Sequence, residues 1–323
     1  MKKRELGTTG IEIAPIILGG NVFGWTIDER ASFEVLDAFA DHGFNAVDTA
    51  DCYSAWAPGN QGGESETIIG NWLKARPGLR DRMTIFTKVG SADGRPTEHG
   101  LSRQWIMGAV ERSLKRLGID RIDLYFSHWP DPAGTSCEET LGAFDTLIKA
   151  GKVRAIGASN VDAGQLAAAL KAARDNDLPR YQVVQPEYNL HDRAGFDGAL
   201  RELCIVEDIG VVTYYSLASG FLSGKYRSEA DLGQSVRGGR VKRYLTPRGE
   251  RILKTLDEVA AAHGAQPSEI ALAWLIARKG VSAPIASATR KDHVESFARA
   301  AGVTLAADEI AALDRAGAEN PAG

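Results

Sequence analysis

Eight short apolar segments recur along the chain, and longer amphipathic stretches follow them. Apolar runs of about four or five residues with polar or glycine borders are typical of buried strands, and the longer stretches are typical of helices. The predicted strands are 15–19, 45–48, 84–88, 124–128, 153–157, 183–186, 211–215 and 283–287. The predicted helices are 29–42, 64–75, 101–117, 138–150, 162–175, 195–208, 247–263 with 268–279, and 291–300.

This alternation indicates an α/β protein with a parallel sheet. The count of eight strand–helix units favours a closed (β/α)8 TIM barrel over an open doubly wound sheet. No G-x-G-x-x-G follows any predicted strand, so the fingerprint of a Rossmann dinucleotide domain is missing. Gly7-Thr8-Thr9-Gly10 predicts an N-terminal β-hairpin over 3–14. Because no linker-like segment divides the chain, we predict a single domain over 1–323.

Local signals mark the ends of several predicted helices. Ser102 and Asp162 have the side chains that favour N-cap positions. Gly43, Gly118 and Gly151 follow predicted helix ends, where a left-handed residue commonly ends a helix. We therefore expect these five residues to bound their helices.

One connection, 216–245 after the seventh predicted strand, is unusually long and rich in Gly, Ser and Arg. A loop of that length in a compact domain is usually functional. We therefore predict an irregular segment with a functional role there. The Ala-rich tail after Leu305 is compositionally biased, and its sequence predicts no element.

Bulk composition excludes several classes of function. The net charge of −4 gives no basis for binding nucleic acid or an anionic membrane. No apolar run approaches the roughly 20 residues of a membrane span, and no apolar stretch follows the basic start as in a secretory signal. Cys52, Cys137 and Cys204 show no C-x-x-C spacing, so we predict reduced thiols in a cytoplasmic protein. Cys52 beside Tyr53 fits either a reactive thiol or a small buried filler.

Polar residues stand at the ends of three successive predicted strands: Asp48 and then Tyr53, Lys88, and His128. Each alone also fits a structural role, such as a turn cap, a rim aromatic, a solvated charge or a satisfied core histidine. In a barrel, however, function lies at the carboxyl ends of the strands. The four have no metal-ligand spacing, so no metal site is predicted.

These residue types suit proton delivery to a carbonyl group. A free tyrosine has a pKa near 10, and we expect Lys88 to stabilise the phenolate of Tyr53 and to lower its pKa. Asp48 would hold Lys88 in place, and His128 would orient the substrate oxygen. The set supplies an acid but no nucleophile, so a hydride from a bound nicotinamide is the expected attacking group.

The same residues resemble the aldo-keto reductase family over essentially the whole chain. The resemblance lies in Asp48-x-x-x-x-Tyr53, Lys88 in 86–90 and His128 in 125–131, with further family-like stretches at 4–10, 63–66, 151–160 and 185–189. It implies a TIM barrel that binds NAD(P)H across its strand ends and resembles bacterial-type members with a long loop after strand 7. It also implies that Asp48, Tyr53, Lys88 and His128 are the catalytic residues.

The resemblance extends to cofactor contacts. The matching positions are Ser159, Asn160, Gln185, Tyr215, Ser216, Gly220, Leu222, Lys225, Ser287, Thr289, Arg290 and His293. By resemblance, Ser159, Asn160 and Gln185 bind the nicotinamide carboxamide. Tyr215 stacks on the ring, and the segment 219–226 wraps the pyrophosphate with backbone donors.

The adenosine end is implied at 287–293. There Arg290 could pair with a 2′-phosphate, which favours NADP(H) over NAD(H), although Arg290 also fits an exposed cation at a helix start. The chain departs from the family at Leu217, where Pro is common, and at His293 and Phe297, where Gln or Glu and Asn are frequent. These departures affect the adenosine contacts and leave the four catalytic positions intact.

Aromatic residues in strand-end loops predict the substrate pocket: Trp25, Trp56 and Trp129, with Phe23 beside them. They favour a compact apolar or ring-bearing carbonyl compound, including sugars, and each also fits a rim aromatic that covers the barrel mouth. The particular substrate, the direction of the reaction and the oligomeric state stay open.

The leading interpretation is an NADP(H)-dependent oxidoreductase that interconverts a small carbonyl compound and its alcohol. A second is an NADP(H)-binding redox sensor that resembles the β subunits of voltage-gated potassium channels. A third is an aldolase on the same barrel with Lys88 as the nucleophile, which leaves Asp48 and Tyr53 without a task.

Overall fold

A computed structural model describes residues 1–91 and 100–319 of the chain. The strands are β1 (Arg4–Glu5), β2 (Glu12–Ile13), β3 (Ile17–Gly19), β4 (Ala46–Asp48), β5 (Thr84–Val89), β6 (Ile122–Ser127), β7 (Val153–Ser159), β8 (Val183–Gln185), β9 (Gly210–Thr213) and β10 (Ala283–Ala286). The helices are α1 (Glu29–Asp41), α2 (Glu64–Ala75), α3 (Arg103–Leu117), α4 (Cys137–Lys149), α5 (Ala163–Asp175), α6 (Ala199–Val206), α7 (Gly238–Val241), α8 (Pro247–His263), α9 (Pro267–Ala277), α10 (Lys291–Gly302) and α11 (Ala307–Ala316).

Strands β3 to β10 close into a parallel barrel in which each strand pairs with the next and β10 pairs with β3. The (β/α)8 barrel predicted from the sequence is therefore confirmed. Because all eight strands run in one direction, their carboxyl ends meet at one rim. The register sets Asp48 opposite Phe86, Lys88 opposite Phe126, and Ser159 opposite Gln185.

The two faces of each strand pack into different apolar clusters. Phe86 and Phe126 belong to the cluster inside the barrel, whereas Ile85 and Tyr125 belong to the layer between the strands and the helices. Side chains alternate between the faces of a strand, so Lys88, two residues after Phe86, lies on the inward face. The apolar interior thus ends in a polar layer at the carboxyl rim.

The predicted N-terminal hairpin is also confirmed. Strands β1 and β2 pair antiparallel, with Arg4 opposite Ile13. Gly7 has a φ of +52°, and a Cβ there would lie 2.4 Å from the backbone nitrogen of Gly210. Only glycine fits this turn, because it needs both a left-handed backbone and close contact with the barrel.

The predicted helix ends agree with the structure. The side chains of Ser102 and Asp162 accept hydrogen bonds from backbone N–H groups in the first turns of α3 and α5. Gly118 caps α3 with a φ of +61°, and Gly43 and Gly151 have φ values of +83° and +72° just past α1 and α4. All five bound their helices as expected.

Two expectations about segments without elements are wrong. The connection after β9 is not irregular, since it contains α7 and 3₁₀ turns at Ala218–Ser223, Glu229–Gln234 and Lys242–Tyr244. Such short turns leave no periodic apolar pattern in a sequence. The tail after Leu305 forms α11, which packs on α8 and buries Leu313 and Ala316. Its alanine bias hid the amphipathic spacing.

Helix α6 begins at Ala199 rather than at 195, and the other element ends shift by a few residues. Over the residues that the structure describes, the helices are too short or too polar for any of them to span a lipid bilayer.

Candidate active site

A cleft of about 1020 Å³ lies at the carboxyl rim of the barrel. Asp48, Tyr53 and His128 line it, whereas Lys88 is completely buried behind them. A second cavity, beside the hairpin at the opposite end of the strands, contains none of the predicted site residues. The predicted chemistry therefore belongs to the rim cleft.

Lys88 is the centre of the hydrogen-bonded set. Its Nζ atom lies 2.6 Å from Asp48 Oδ2, 2.8 Å from the backbone oxygen of Thr49 and 2.9 Å from the phenolic oxygen of Tyr53. An ammonium group has three protons and no acceptor, so these contacts use all of its donors. The predicted ion pair between Asp48 and Lys88 is present, and it is buried on both sides.

Burial dominates the electrostatics of this set. It raises the pKa of Asp48, and the charge and hydrogen bond of Lys88 oppose that effect. Burial and then the negative charge of Asp48 raise the pKa of Tyr53 well above its ordinary value near 10. Lys88 donates to the phenolic oxygen, but burial and Asp48 outweigh that contact, so the expectation of a Tyr53 pKa below 10 is wrong for this state of the protein, in which Tyr53 is a neutral phenol near neutral pH.

His128 completes the predicted four. Its ring centroid lies 5.9 Å from that of Tyr53, and the side chain is 8% exposed. Burial and then the positive charge of Lys88 lower the pKa of His128 well below 6.5. The imidazole is therefore neutral near neutral pH, and it can hydrogen-bond a substrate oxygen without carrying a charge.

Sequence reasoning overlooked an acidic residue next to this set. Burial, followed by the negative charge of Glu66, raises the pKa of Asp51 to about 7, although Arg116 and Arg112 act against it. Glu66 is fully buried and pairs with Arg116 at 2.6 Å. The position of Asp51 between Asp48 and Tyr53 was the available signal.

The three residues expected at the nicotinamide carboxamide form one network. Gln185 Nε2 donates to Asp48 Oδ1 at 2.9 Å, and Ser159 Oγ donates to the backbone oxygen of Gln185 at 2.8 Å. Asn160 Nδ2 donates to the backbone oxygen of His128 at 2.8 Å. These bonds orient Ser159, Asn160 and Gln185, all of which line the cleft.

The expected contacts after β9 divide into two groups. Tyr215, Ser216, Gly220 and Lys225 line the cleft. Leu222 does not, because its side chain is fully buried in the core under the 3₁₀ turn that contains it. The contact expected of Leu222 is through the backbone donors of the segment 219–226, and that expectation stays a prediction.

Arg237 also lines the cleft, and sequence reasoning did not single it out. Its guanidinium lies 5.2 Å from the ring centroid of Trp25, and NH2 is 3.4 Å from Asn21 Oδ1. Among the residues that the structure describes, no carboxylate pairs with it. The arginine-rich sequence Arg237-Gly238-Gly239-Arg240 within the long connection was the available signal.

Ser287, Thr289, Arg290 and His293 line the cleft, as expected for the adenosine end. The Arg290 guanidinium makes a two-bond ion pair with Asp292, at 3.0 and 2.9 Å. The two side chains are 66% and 58% exposed, so their pairing is worth only about 0–1 kcal/mol.

The aromatic walls are largely as expected. Trp25, Trp56 and Trp129 line the cleft, and the Trp56 ring lies 5.6 Å from that of Trp25 and 5.9 Å from that of Tyr53 in edge-on contacts. Phe23 is instead completely buried in the core. Its expected place in the wall is therefore wrong.

Comparison with known proteins gives the family. The model of the aldo/keto reductase family matches residues 15–318. The chain belongs to this family.

The chain is also similar to individual proteins. It is 30% identical to Protein tas of Escherichia coli strain K12, over 97% of each chain. It is also 30% identical to the aldo-keto reductase AFTS1 of Alternaria alternata, over 97% of this chain and 91% of the relative. It is 31% identical to a probable voltage-gated potassium channel subunit beta of Arabidopsis thaliana, over 94% and 92%.

Aldo-keto reductases are oxidoreductases that use NAD(P)H and act on small-molecule carbonyl compounds. The donors around this cleft suit such a cofactor. Arg237 presents a partly buried guanidinium with no carboxylate partner among the described residues, and Lys225 adds a second cation. Hydroxyl groups of Ser287 and Thr289 add polar contacts. Cations and hydroxyls are what a pyrophosphate needs, so the residues present fit the cofactor of the family.

Proposed function

We propose that this aldo-keto reductase is an NADP(H)-dependent oxidoreductase that transfers a hydride between nicotinamide and an aldehyde or ketone, or the corresponding alcohol. Its substrates include ring-bearing compounds such as sugars. Tyr53 acts as the general acid in reduction and the general base in oxidation. The chain works as one barrel domain in the cytoplasm.

The observation that carries the proposal is the bonding of Lys88. Because an ammonium group only donates, the 2.9 Å contact makes the phenolic oxygen of Tyr53 an acceptor. The hydrogen of Tyr53 is then directed away from Lys88, and Tyr53 lines the cleft. This arrangement supports delivery of a proton from Tyr53 to a bound oxygen.

When bound, the cofactor supplies the hydride to the carbonyl carbon. Tyr53 and the neutral His128 would hydrogen-bond the oxygen of the bound carbonyl group, and Tyr53 would give that oxygen its proton as the hydride reaches the carbon. Lys88 stabilises the phenolate that results, and Asp48 keeps the ammonium in place. Because Asp48 and Lys88 are buried, their charges act in a low-dielectric site where they are screened little.

The bonding of Lys88 also argues against the aldolase interpretation. A lysine that forms a Schiff base needs a free lone pair and access to the substrate. Nζ of Lys88 instead makes three donor contacts, and the side chain does not line the cleft. We therefore give Lys88 an electrostatic role.

The variant Tyr53→Phe tests the assignment of the acid. We expect turnover with NADPH and a panel of aldehydes to fall by at least about 100-fold, the usual share of general acid catalysis. NADPH binding, followed by fluorescence titration, should change little. Tyr181→Phe is the matched control, because Tyr181 is a buried tyrosine that bonds Ser127 outside the cleft. Undiminished turnover by Tyr53→Phe would remove Tyr53 as the acid.

The preference for NADP(H) is carried by Arg290. Its ion pair with Asp292 is exposed and weak, so a 2′-phosphate can replace Asp292 as the partner of the guanidinium with little loss of free energy. We expect Arg290→Ala to weaken NADPH binding at least about tenfold more than NADH binding. Asp292→Asn should have the opposite effect and tighten NADPH, since it removes the competing carboxylate. Equal losses of both cofactors in Arg290→Ala would contradict the preference.

The similarity to a potassium channel subunit beta supports a second candidate, an NADP(H)-binding redox sensor. A sensor would complete one turnover and then retain its cofactor. Single-turnover absorbance of NADPH, compared with steady-state turnover on the same aldehydes, separates the two. Continued turnover with micromolar enzyme favours the oxidoreductase, and a burst without turnover favours the sensor.

A further inference from the structure

Three potential metal ligands meet beside the proposed acid. A carboxylate oxygen of Asp51, Sγ of Cys52 and a ring nitrogen of His128 all lie within 4.8 Å of one another. Asp51 and Cys52 follow β4, whereas His128 follows β6. The sequence shows no metal-ligand spacing here, because the barrel brings the histidine in from another strand.

The separation of Cys52 and His128 suits one metal ion. Sγ lies 3.7 Å from Nδ1 of His128. Zinc bonds of about 2.3 Å to sulfur and about 2.05 Å to nitrogen, at a tetrahedral angle, put those two atoms about 3.6 Å apart. The two side chains are therefore already spaced as adjacent corners of a tetrahedral site.

The third ligand has an unsatisfied oxygen. Oδ1 of Asp51 is buried and accepts no hydrogen bond in the part of the chain that the structure describes. A buried acceptor without a donor is costly, and a cation bound to the carboxylate would relieve that cost. The buried carboxylate of Glu66 also lies nearby, although Arg116 and Arg112 partly offset its negative charge.

We propose that Asp51, Cys52 and His128 form a site for a zinc-class divalent ion, and that binding of the ion inhibits the oxidoreductase. The Cys52 thiol releases its proton to solvent and binds as the thiolate, and Nδ1 of His128 binds through its lone pair. Cys52 and His128 line the cleft, which gives the ion a path of entry and leaves its fourth position open to solvent.

Inhibition follows from where the ion sits. It holds the imidazole that would orient the substrate oxygen. Because Cys52 loses a proton when the divalent ion binds, the site gains one net positive charge beside Tyr53. The bound ion thereby holds the His128 ring in place beside Tyr53. It also competes with the carbonyl group of the substrate for the space next to these two side chains. This effect on turnover rests on the proposed function, whereas binding of the ion does not.

Binding is tested by titrating the untagged protein with Co²⁺, which reports on tetrahedral zinc sites. We expect a thiolate-to-cobalt charge-transfer band in the near ultraviolet and strong visible bands, which Zn²⁺ displaces. Cys52→Ser and Cys52→Ala should lose the charge-transfer band. Cys137→Ser is the matched control, because Cys137 is a half-buried cysteine that does not line the cleft, and it should keep the band.

Inhibition is tested by Zn²⁺ titration of turnover, with reversal by EDTA. We expect Cys52→Ser to raise the half-inhibiting zinc concentration at least about tenfold, with inhibition of each protein measured relative to its own zinc-free turnover. Absence of the charge-transfer band in the unsubstituted protein, or an equal band in Cys52→Ser, overturns the site. A band without inhibition overturns the regulatory role alone, and a band in a protein without any reductase activity refutes the proposed function instead.

Discussion

Replacing Lys88 by Met removes one half of a fully buried ion pair at nearly constant side-chain length. Asp48 is 2% exposed, and without Lys88 its one remaining side-chain partner among the described residues is Gln185. The backbone oxygen of Thr49 and the phenol of Tyr53 each lose a donor as well. Breaking a buried pair from one side costs about 3–5 kcal/mol, because a charge stays buried without compensation. We expect Lys88→Met to lose that much free energy of unfolding.

The loss should depend on pH. Burial already raises the pKa of Asp48, and removal of Lys88 raises it further because both effects of Lys88 lower that pKa. In the variant, folded Asp48 then binds a proton more tightly than unfolded Asp, whose pKa is about 3.9. The free energy of unfolding of the variant therefore falls as pH rises from about 3.9 to the raised pKa of the folded state. The deficit of Lys88→Met should therefore be smaller at about pH 5 than at about pH 8.

Urea unfolding followed by circular dichroism measures the effect at both pH values. Lys74→Met is the control, since Lys74 is an exposed lysine on α2 and should change stability by no more than about 0.5 kcal/mol. The double variant Asp48→Asn with Lys88→Met removes both charges and should recover part of the loss, with a coupling of about 1–3 kcal/mol. A deficit below about 1 kcal/mol, or additive single effects, would refute the buried-charge reasoning.

Two further predictions concern packing and charge outside the site. Gly70→Ala in α2 should cost about 1–3 kcal/mol, because the new Cβ would lie 2.2 Å from the backbone oxygen of Arg116. The new Cβ of Gly142→Ala in α4 would meet no atom of the described residues within 4 Å, so this variant should be more stable by about 0.5–1 kcal/mol, and thermal unfolding compares the two variants. Burial alone would raise the pKa of Asp192, but hydrogen bonds, first that of His191, lower it. Its contribution is therefore fully present above the ordinary carboxyl pKa of about 3.9 and is lost below it, so the stability gap to Asp192→Asn should hold from about pH 7 to about pH 4 and shrink below about pH 4 in urea unfolding.

The barrel and its hairpin were predictable because each strand–helix unit shows its own local pattern. Alternation along β5 places Phe86 and Lys88 on one face whatever surrounds them. The short turns after β9 and the alanine-rich α11 escaped prediction, since one or two helical turns and small side chains leave little periodic signal. Recognition of the aldo-keto reductase family likewise depended on motifs that are contiguous in the chain.

The sequence by itself determined the fold class, the end of the barrel that carries the candidate site residues, and the identity of the candidate acid. Only the tertiary structure decided which atoms meet: Lys88 reaches a carboxylate 40 positions away, and His128 reaches Cys52 across 76. Closure of the barrel also decided the electrostatics, since desolvation sets the pKa of Tyr53 and of Asp51 and no sequence pattern measures burial. Short-range patterns encode elements, whereas contacts between distant strands and exclusion of water exist only once all eight strands have closed.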